Sequence, residues 1–428
     1  MSKYVSFVFK NYYFDPNTGL LDLVYGYDDV LEFHETYKFN FKFQAYDEAI
    51  LDRAIQLLFF LAGVSYYKLY LSPNIKVDKG KIDQQFGLFL NKTYQKGLGE
   101  FFYVNSLDPN SQISFPVNSP DFQALELSNL SGQLIGLGGG KDSLLSVEVL
   151  RDLQKVATWS LNHQTKLQPL VDQVGLNHFW VERTWDPLIM QLNQQDALNG
   201  HIPISAIFAA TGVIVAILSG YREVIVSNES SASEPSLLYE GVAINHQYSK
   251  SLEFEKDFQT ILTVLFGDSV AYYSLLRPFS ELRIAEFFAS FFDKYSPYFS
   301  SCNRAFTLHQ DHLFWCGQCP KCAFVFLILT PFIERLKLEK LWHGHNLLLD
   351  DSVKPTYLKL LGIEGDKPLD CVGEVKEART AMRLATNIYP ELKQYHFDIP
   401  PDYDYKAWHE HAMPQAMYDL LKSRFGNL

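Results

Sequence analysis

The stretch Leu137-Gly-Gly-Gly-Lys-Asp-Ser143 limits what this chain can fold into more than any other. A short apolar run, Gln133–Leu137, enters the three glycines, and a helix-like segment, Ser143–Leu153, leaves them. Glycine reaches φ > 0 without strain and lets the backbone approach a ligand with no Cβ in the way. Amides at the start of the helix lack intrahelical partners, and the dipole there favours an anion such as phosphate. The loop is not the usual P-loop, because Lys141 is followed by Asp142 and Ile135 stands where the first glycine belongs. Nor is it a dinucleotide fingerprint, because Ser143 occupies the place of the third glycine.

Strand candidates 156–161, 178–181 and 222–226 follow, alternating with helical segments that include the apolar stretch 203–219. That alternation predicts an α/β fold, a mostly parallel sheet flanked by helices. Ligands of such sheets sit beyond the carboxyl ends of the strands, where the glycine loop and Ser227-Asn-Glu-Ser-Ser-Ala-Ser-Glu234 both fall. Upstream, Tyr4–Lys10, Leu20–Tyr25 and Leu31–Phe39 read as strands, with turn chemistry at Asp15-Pro-Asn-Thr-Gly19. From Asp47 to about Tyr70 the pattern is helical, with Ile50, Ala54, Leu57, Leu58 and Leu61 on one face. Ser106–Ser131, holding Pro109, Pro116 and Pro120, reads as a linker. The expected division is an N-terminal β-rich α+β domain (1–125), a central α/β domain (126–340) and a mainly helical C-terminal region (341–428). In the helix that starts near Leu252, Phe254, Phe258, Ile261 and Leu265 have core spacing, and Gly267 stops it.

Four of the five cysteines lie close together, Cys302 and then Cys316-Gly-Gln-Cys319-Pro-Lys-Cys322. Two-residue gaps let successive thiolates turn onto one tetrahedral Zn²⁺, and four protein ligands with no open position make a structural site. His309 and His312, inside the long gap, are the alternatives to Cys302 as fourth ligand. Five cysteines are too few for a disulfide scaffold, and 47% hydrophobic residues exclude a disordered chain. With 37 Lys+Arg against 49 Asp+Glu, the net charge of −12 argues against nucleic acid as partner. No signal-peptide pattern opens the sequence. The uncharged stretch 202–219 just reaches membrane-spanning length, but Pro203, Ser205, Thr211 and the strand that follows favour a buried core helix. A cytoplasmic protein with no membrane segment is expected.

Gly138-Gly-Gly-Lys-Asp-Ser143 resembles the Ser-Gly-Gly-x-Asp-Ser loop of the ATP pyrophosphatase (PP-loop) superfamily, whose fold is adenine nucleotide alpha hydrolase-like. It departs from that loop by Gly138 in place of Ser, which loses a hydroxyl donor. The cysteine cluster is similar to that of the PP-loop enzyme making 7-cyano-7-deazaguanine. Further strings narrow the likeness: Leu61-Ala-Gly-Val-Ser-Tyr66, Asn199-Gly-His-Ile-Pro-Ile204, Ser227–Glu234, Asn245-His-Gln-Tyr-Ser-Lys-Ser251, Ser301-Cys-Asn-Arg-Ala-Phe306 and Cys371-Val-Gly-Glu374. Together they resemble the UDP-N-acetylmuramoyl-L-alanyl-L-glutamate epimerases, the MurL family, over nearly the whole chain.

The resemblance implies an isomerase of peptidoglycan precursor synthesis. It would use ATP and Mg²⁺ to convert the terminal L-glutamate of the UDP-N-acetylmuramoyl dipeptide to D-glutamate through an adenylated carboxylate. Gly138, Gly139, Gly140, Lys141, Asp142 and Ser143 would hold ATP, with Asp142 near Mg²⁺, although Lys141 in the variable position could instead face solvent. Glu229, His246 and Lys250 are the further catalytic candidates; the last two share a face if their segment is helical. Arg277, Arg283 and Arg304 are candidate phosphate or carboxylate clamps. Cys302, Cys316, Cys319 and Cys322 would bind structural Zn²⁺. Only Cys371 then remains, which disfavours the two-thiol chemistry of cofactor-independent amino-acid racemases. The alternative function is a PP-loop enzyme that adenylates a nucleobase or tRNA.

Overall fold

Alternating buried and exposed side chains make the first forty residues an antiparallel meander of β1 (Ser6–Asp15), β2 (Leu20–Tyr27) and β3 (Leu31–Phe39). The computed structural model describes residues 2–307 and 310–426. A short strand, β4 (Asn74–Val77), joins β1 in parallel. The central segment supplies β5 (Gln133–Gly136), β6 (Val156–Leu161), β7 (Asn177–Thr184) and β8 (Glu223–Val226). A two-stranded hairpin, β9 (Leu237–Tyr239) and β10 (Val242–Ile244), precedes β11 (Ala271–Ser274).

Among the described residues, nine strands form one sheet in the order β11-β8-β5-β6-β7-β3-β2-β1-β4. The five from β11 to β7 are parallel. β3 then pairs antiparallel with β7, from Thr36–Thr184 to Phe39–Val181, so the sheet runs on across residue 125. Behind that junction Arg183 donates to both oxygens of the fully buried Glu35, at 2.9 and 3.1 Å, and to Ser65 Oγ at 2.9 Å.

Successive residues of the parallel strands enter opposite cores, as the two-residue period of a strand requires. Leu134, Val224 and Tyr272 face the core formed with helices Glu48–Ala62, Ile204–Ser219 and Leu252–Phe266. Ile135, Ile225 and Tyr273 face the core formed with helices Lys141–Leu150, Glu281–Phe288, Pro320–Leu329 and Val375–Ala385. Helices therefore cover both faces of a largely parallel sheet, as the sequence predicts. Residues 341–428 contain helices and, among the described residues, no strand.

The apolar helix Ile204–Ser219 packs close to the sheet: a Cβ on Gly212 would come within 2.8 Å of Val224 and 2.9 Å of Trp159. The helix expected over 47–70 is broken at Gly63 into Glu48–Ala62 and Val64–Tyr67. Among the described residues this stretch, Glu48–Tyr67, is the one long and apolar enough to cross a membrane, and 78% of its apolar 18-residue window is buried inside the fold.

Candidate active site

Strand order reverses around β5: β6 lies on one side, and β8, reached later in the chain, on the other. The loops after β5 and β8 therefore diverge, leaving a crevice at the carboxyl ends of the strands. The glycine loop lines it. Gly139 has φ +91°, a conformation that favours glycine, and a Cβ there would press on Leu167, Phe306 and the Ser300 carbonyl. At Gly138 a Cβ would meet nothing within 4 Å, so the loop is open above that residue. Helix Lys141–Leu150 starts without a side-chain cap, leaving its first amides available to an anion. Ser143 Oγ donates to the Gly140 carbonyl at 3.1 Å.

Lys141 does not face solvent. Its side chain is buried and pairs with both Asp142 and Glu281. Lys321 Nζ lies 3.6 Å from the other oxygen of Glu281. Burial pushes the Glu281 carboxyl up, but Lys141 and Lys321 outweigh it and hold the group down at about 2. Asp142 moves the other way: burial, against the pull of Lys141, raises it above the ordinary carboxylate range.

Glu229 stands three residues past β8, before the turn Ser230–Ser233. It is 8% exposed, and its carboxyl makes no hydrogen bond or ion pair with any described residue. Burial, followed by repulsion from Glu281 and Asp142, raises it to about 7. Arg277 fixes the backbone beneath: it is paired with buried Glu255 and donates to the carbonyls of Glu229 at 2.6 Å and Lys250 at 2.5 Å. Its guanidinium is thus engaged within the fold. Arg283 pairs with Glu286 and lies over the Phe287 ring, and Arg304 donates to Gln318 at 3.0 Å.

No helix joins His246 to Lys250, so helical spacing does not relate them; Lys250 ends a short 3₁₀ turn, Tyr248–Lys250. They meet at Cys371, whose sulfur lies 3.1 Å from Lys250 Nζ and 4.0 Å from His246 Nε2. The Nδ1 side of His246 contacts Glu100, and His201 Nδ1 lies 3.6 Å from the same carboxylate oxygen. Burial opposes protonation of His246, but Cys371 and Glu100 raise it to about 9. Burial, then the neighbouring His246, push His201 down to about 4. Burial would raise the Cys371 thiol, but Lys250, His246 and Lys321 bring it down to about 6. Lys68, donating to Asn199 Oδ1 at 3.0 Å and the Gly200 carbonyl at 2.9 Å, steadies the loop that carries His201.

The sulfurs of Cys302, Cys316, Cys319 and Cys322 all lie within 4.8 Å of one another, with Cys302–Cys319 at 3.9 Å and Cys316–Cys322 at 3.7 Å. A tetrahedral ion with arms of ~2.3 Å needs sulfurs about 3.8 Å apart, so the set suits zinc. Cys302 completes the four. His312 is exposed and lies 2.7 Å from Asp311, and His309 lies outside the described residues. The cluster anchors two parts of the crevice. Ser300 N donates to the Gly139 carbonyl at 3.0 Å, which lays the Cys302 segment over the glycine loop. Cys319 caps helix Pro320–Leu329, from which Lys321 reaches Glu281.

The crevice thus gathers the glycine loop, Asp142, Glu229, His246 and Lys250. Sequence reasoning missed Glu100, His201, Glu281 and Lys321, and set Cys371 aside. His201, Lys250 and Cys371 all fall within the strings that carry the family likeness, which was the available signal.

Comparison with known proteins gives one consistent result. Residues 1–275 match the model described as the MurL N-terminal domain, and residues 298–394 that of the MurL C-terminal domain. A UDP-N-acetyl-alpha-D-muramoyl-L-alanyl-L-glutamate epimerase of Xanthomonas oryzae is 36% identical, over 96% of this chain and 95% of its own length. Proteins with the same name from Salinispora tropica and a Micromonospora species are 37% and 39% identical, over 89% and 78% of this chain and 84% and 75% of their own.

Proposed function

This chain belongs to the MurL family and is an epimerase, and from that premise we propose that it inverts the terminal glutamate of UDP-N-acetylmuramoyl-L-alanyl-L-glutamate from L to D with ATP and Mg²⁺. A carboxylate resists loss of its α-proton, because a second negative charge would develop beside the first. ATP, when bound, would supply the remedy: adenylation neutralises the carboxylate and acidifies the Cα–H, with pyrophosphate and finally AMP released. The free amides of Gly138–Gly140 and of the helix start, with Ser143, are suited to hold the phosphates. Lys141 and Lys321 supply positive charge beside them, and Asp142 offers an oxygen for Mg²⁺. The four-cysteine set would hold a structural Zn²⁺ that keeps the 300–322 segment against the glycine loop.

Glu229 is the observation that carries this reading. A carboxyl buried so deeply for structural reasons is normally paired. This one is unpaired, stands beside the glycine loop and is poised near neutrality, which suits a group that exchanges a proton with substrate. We assign it proton transfer at the glutamyl α-carbon, with Lys250 and His246 stabilising charge and relaying protons beside it.

The test is incubation of the full chain with Mg-ATP and the L,L-dipeptide nucleotide in deuterated water. Release of AMP together with deuterium at the glutamyl α-carbon and D-glutamate in the hydrolysate is the expected result. Absence of all three overturns the proposal. Pyrophosphate release that answers to RNA or a free base, and not to the dipeptide nucleotide, would favour an adenylating PP-loop enzyme of the other kind.

A further inference from the structure

Inversion at a carbon needs proton transfer on two faces, and Glu229 accounts for one. We infer that Cys371 is the second proton carrier of the epimerisation, acting on the face of the glutamyl α-carbon opposite Glu229, with His246 as its partner and Glu100 as the positioning residue behind His246. The inference rests on the reading of the chain as an epimerase of this dipeptide.

The arrangement, not the thiol alone, supports it. Glu100, the His246–Lys250 segment and Cys371 come from three separate parts of the chain, yet their functional atoms form a connected set. Glu100 engages the Nδ1 side of His246, which leaves Nε2 to face the sulfur 4.0 Å away. Thiolate, imidazolium and carboxylate in that order make an ion-paired relay that holds a side chain ready for proton transfer. Lys250 Nζ lies 3.1 Å from the same sulfur, and Lys321 donates to the Cys371 carbonyl. Buried structural thiols sit in apolar surroundings and are inert, whereas this one is ringed by cations. A Cβ on Gly373 would collide with Glu377 and the Phe324 ring, so the turn carrying Cys371 is held tightly against the core. The second, independent observation is Glu229, deeply buried and unpaired; the Lys250 charge acts on both it and Cys371.

The resting charges set a direction. Lys250, His246 and Lys321 around the sulfur favour the thiolate, and burial beside Glu281 and Asp142 favours the protonated Glu229 carboxyl, so with one proton between them the resting form is thiolate and carboxylic acid. In the L-to-D direction the Cys371 thiolate takes the α-proton: the Cα–H bond breaks, an S–H bond forms, and the electron pair passes into the activated carboxyl group. Glu229 then gives its proton to the other face of the α-carbon. The thiol proton returns to the Glu229 carboxylate through His246 and solvent, so both groups are restored with no oxidant and no net proton consumed. A single thiol paired with a carboxyl thereby does what two thiols would otherwise do, and the cysteines of the 302–322 cluster need not take part.

The experiment compares wild type, Cys371→Ala, Cys371→Ser and Glu229→Gln, as full-length protein with Mg-ATP in deuterated water, on the L,L and the L,D dipeptide nucleotides. For Cys371→Ala and Cys371→Ser, we expect AMP release to continue while epimerisation falls ~10²–10⁴-fold. Deuterium entry into the L,L substrate should disappear while slow entry into the L,D substrate survives. Glu229→Gln should give the mirror image. As a measurement independent of turnover, iodoacetamide should alkylate Cys371 of the wild type faster as pH rises through about 6, a midpoint that moves upward in His246→Gln. Wild-type epimerisation by Cys371→Ala overturns the inference, and so does equal loss of exchange from both isomers with AMP release intact. Wild-type protein that shows neither AMP release nor exchange brings down the epimerase reading itself, and this inference with it.

Discussion

Two clusters contain all five cysteines, and they are built in opposite ways. The four thiols of the 302–322 cluster meet through short-range spacing, touched otherwise by the backbone amides of Gln318 and Cys322. Around Cys371 a single thiol meets a lysine 121 residues away and a histidine 125 residues away. Four thiolates around one point need a cation to be tolerable together, so the first cluster is closed once a metal fills it. The second balances its own charge with Lys250, His246 and Glu100, leaving groups near neutrality that can change protonation. Short-range convergence here suits a fastening, and long-range convergence suits chemistry.

Three substitutions press on that contrast. The largest effect is expected from Glu229→Gln: a ~10²–10⁴-fold fall in kcat with no loss of thermal stability, because no pairing is broken. The pH dependence follows from the sign of the shift. A carboxyl raised from 4.5 to about 7 on folding favours the folded state at low pH and loses that contribution as pH rises from about 4.5 to 7. Glu229→Gln should remove that slope from a plot of Tm against pH. A slope unchanged in the variant would show that the carboxyl is not desolvated as described.

Cys302→Ala should have a middling effect. Stoichiometric zinc in the wild type, measured by elemental analysis, should fall, and Tm should drop by several degrees as the 300–322 segment loosens. Activity should decline through weaker ATP binding, not through the exchange step. Identical metal content in variant and wild type would remove Cys302 from the ligand set. The smallest effect belongs to Gly138→Ser, which adds a hydroxyl donor where the structure has open space. It should lower KM for ATP a few-fold with Tm unchanged. A rise in KM would mean that the phosphates do not lie above Gly138.

These differences also explain what could be read from the sequence. Glycine turns, two-residue cysteine gaps and apolar periods are local, so the strands around the glycine loop, the buried helix Ile204–Ser219 and the cysteine grouping were legible. Strands β4 and β11 were not: β5 and β8 are as short, but β4 and β11 lack the adjoining glycine-loop and Ser-rich signals and owe their place to neighbours in the sheet. Glu229 was visible because it follows a strand at the end where ligands lie. Cys371 was visible within a family-like string but not as a partner, since its partners lie 121 and 125 residues away. His246 and Lys250 were linked through a helix that does not form, and it takes the fold to show that Cys371 joins them. Lys141 was left open between pocket and solvent because its pairing with Glu281, 140 residues away, cannot be read from the loop itself.

The junction of β3 with β7 has a consequence for the order of events during synthesis. Glu35 and its partner Arg183 are 148 residues apart, so the ribosome releases the meander long before the guanidinium that neutralises its buried carboxylate. Until β7 arrives, β3 presents an open hydrogen-bonding edge with an uncompensated charge behind it. The N-terminal strands must therefore wait, and this sheet closes late, across a contact of high sequence separation that makes for slow folding. A chaperone that shields that waiting edge would act while this chain is open to pairing with another copy of itself.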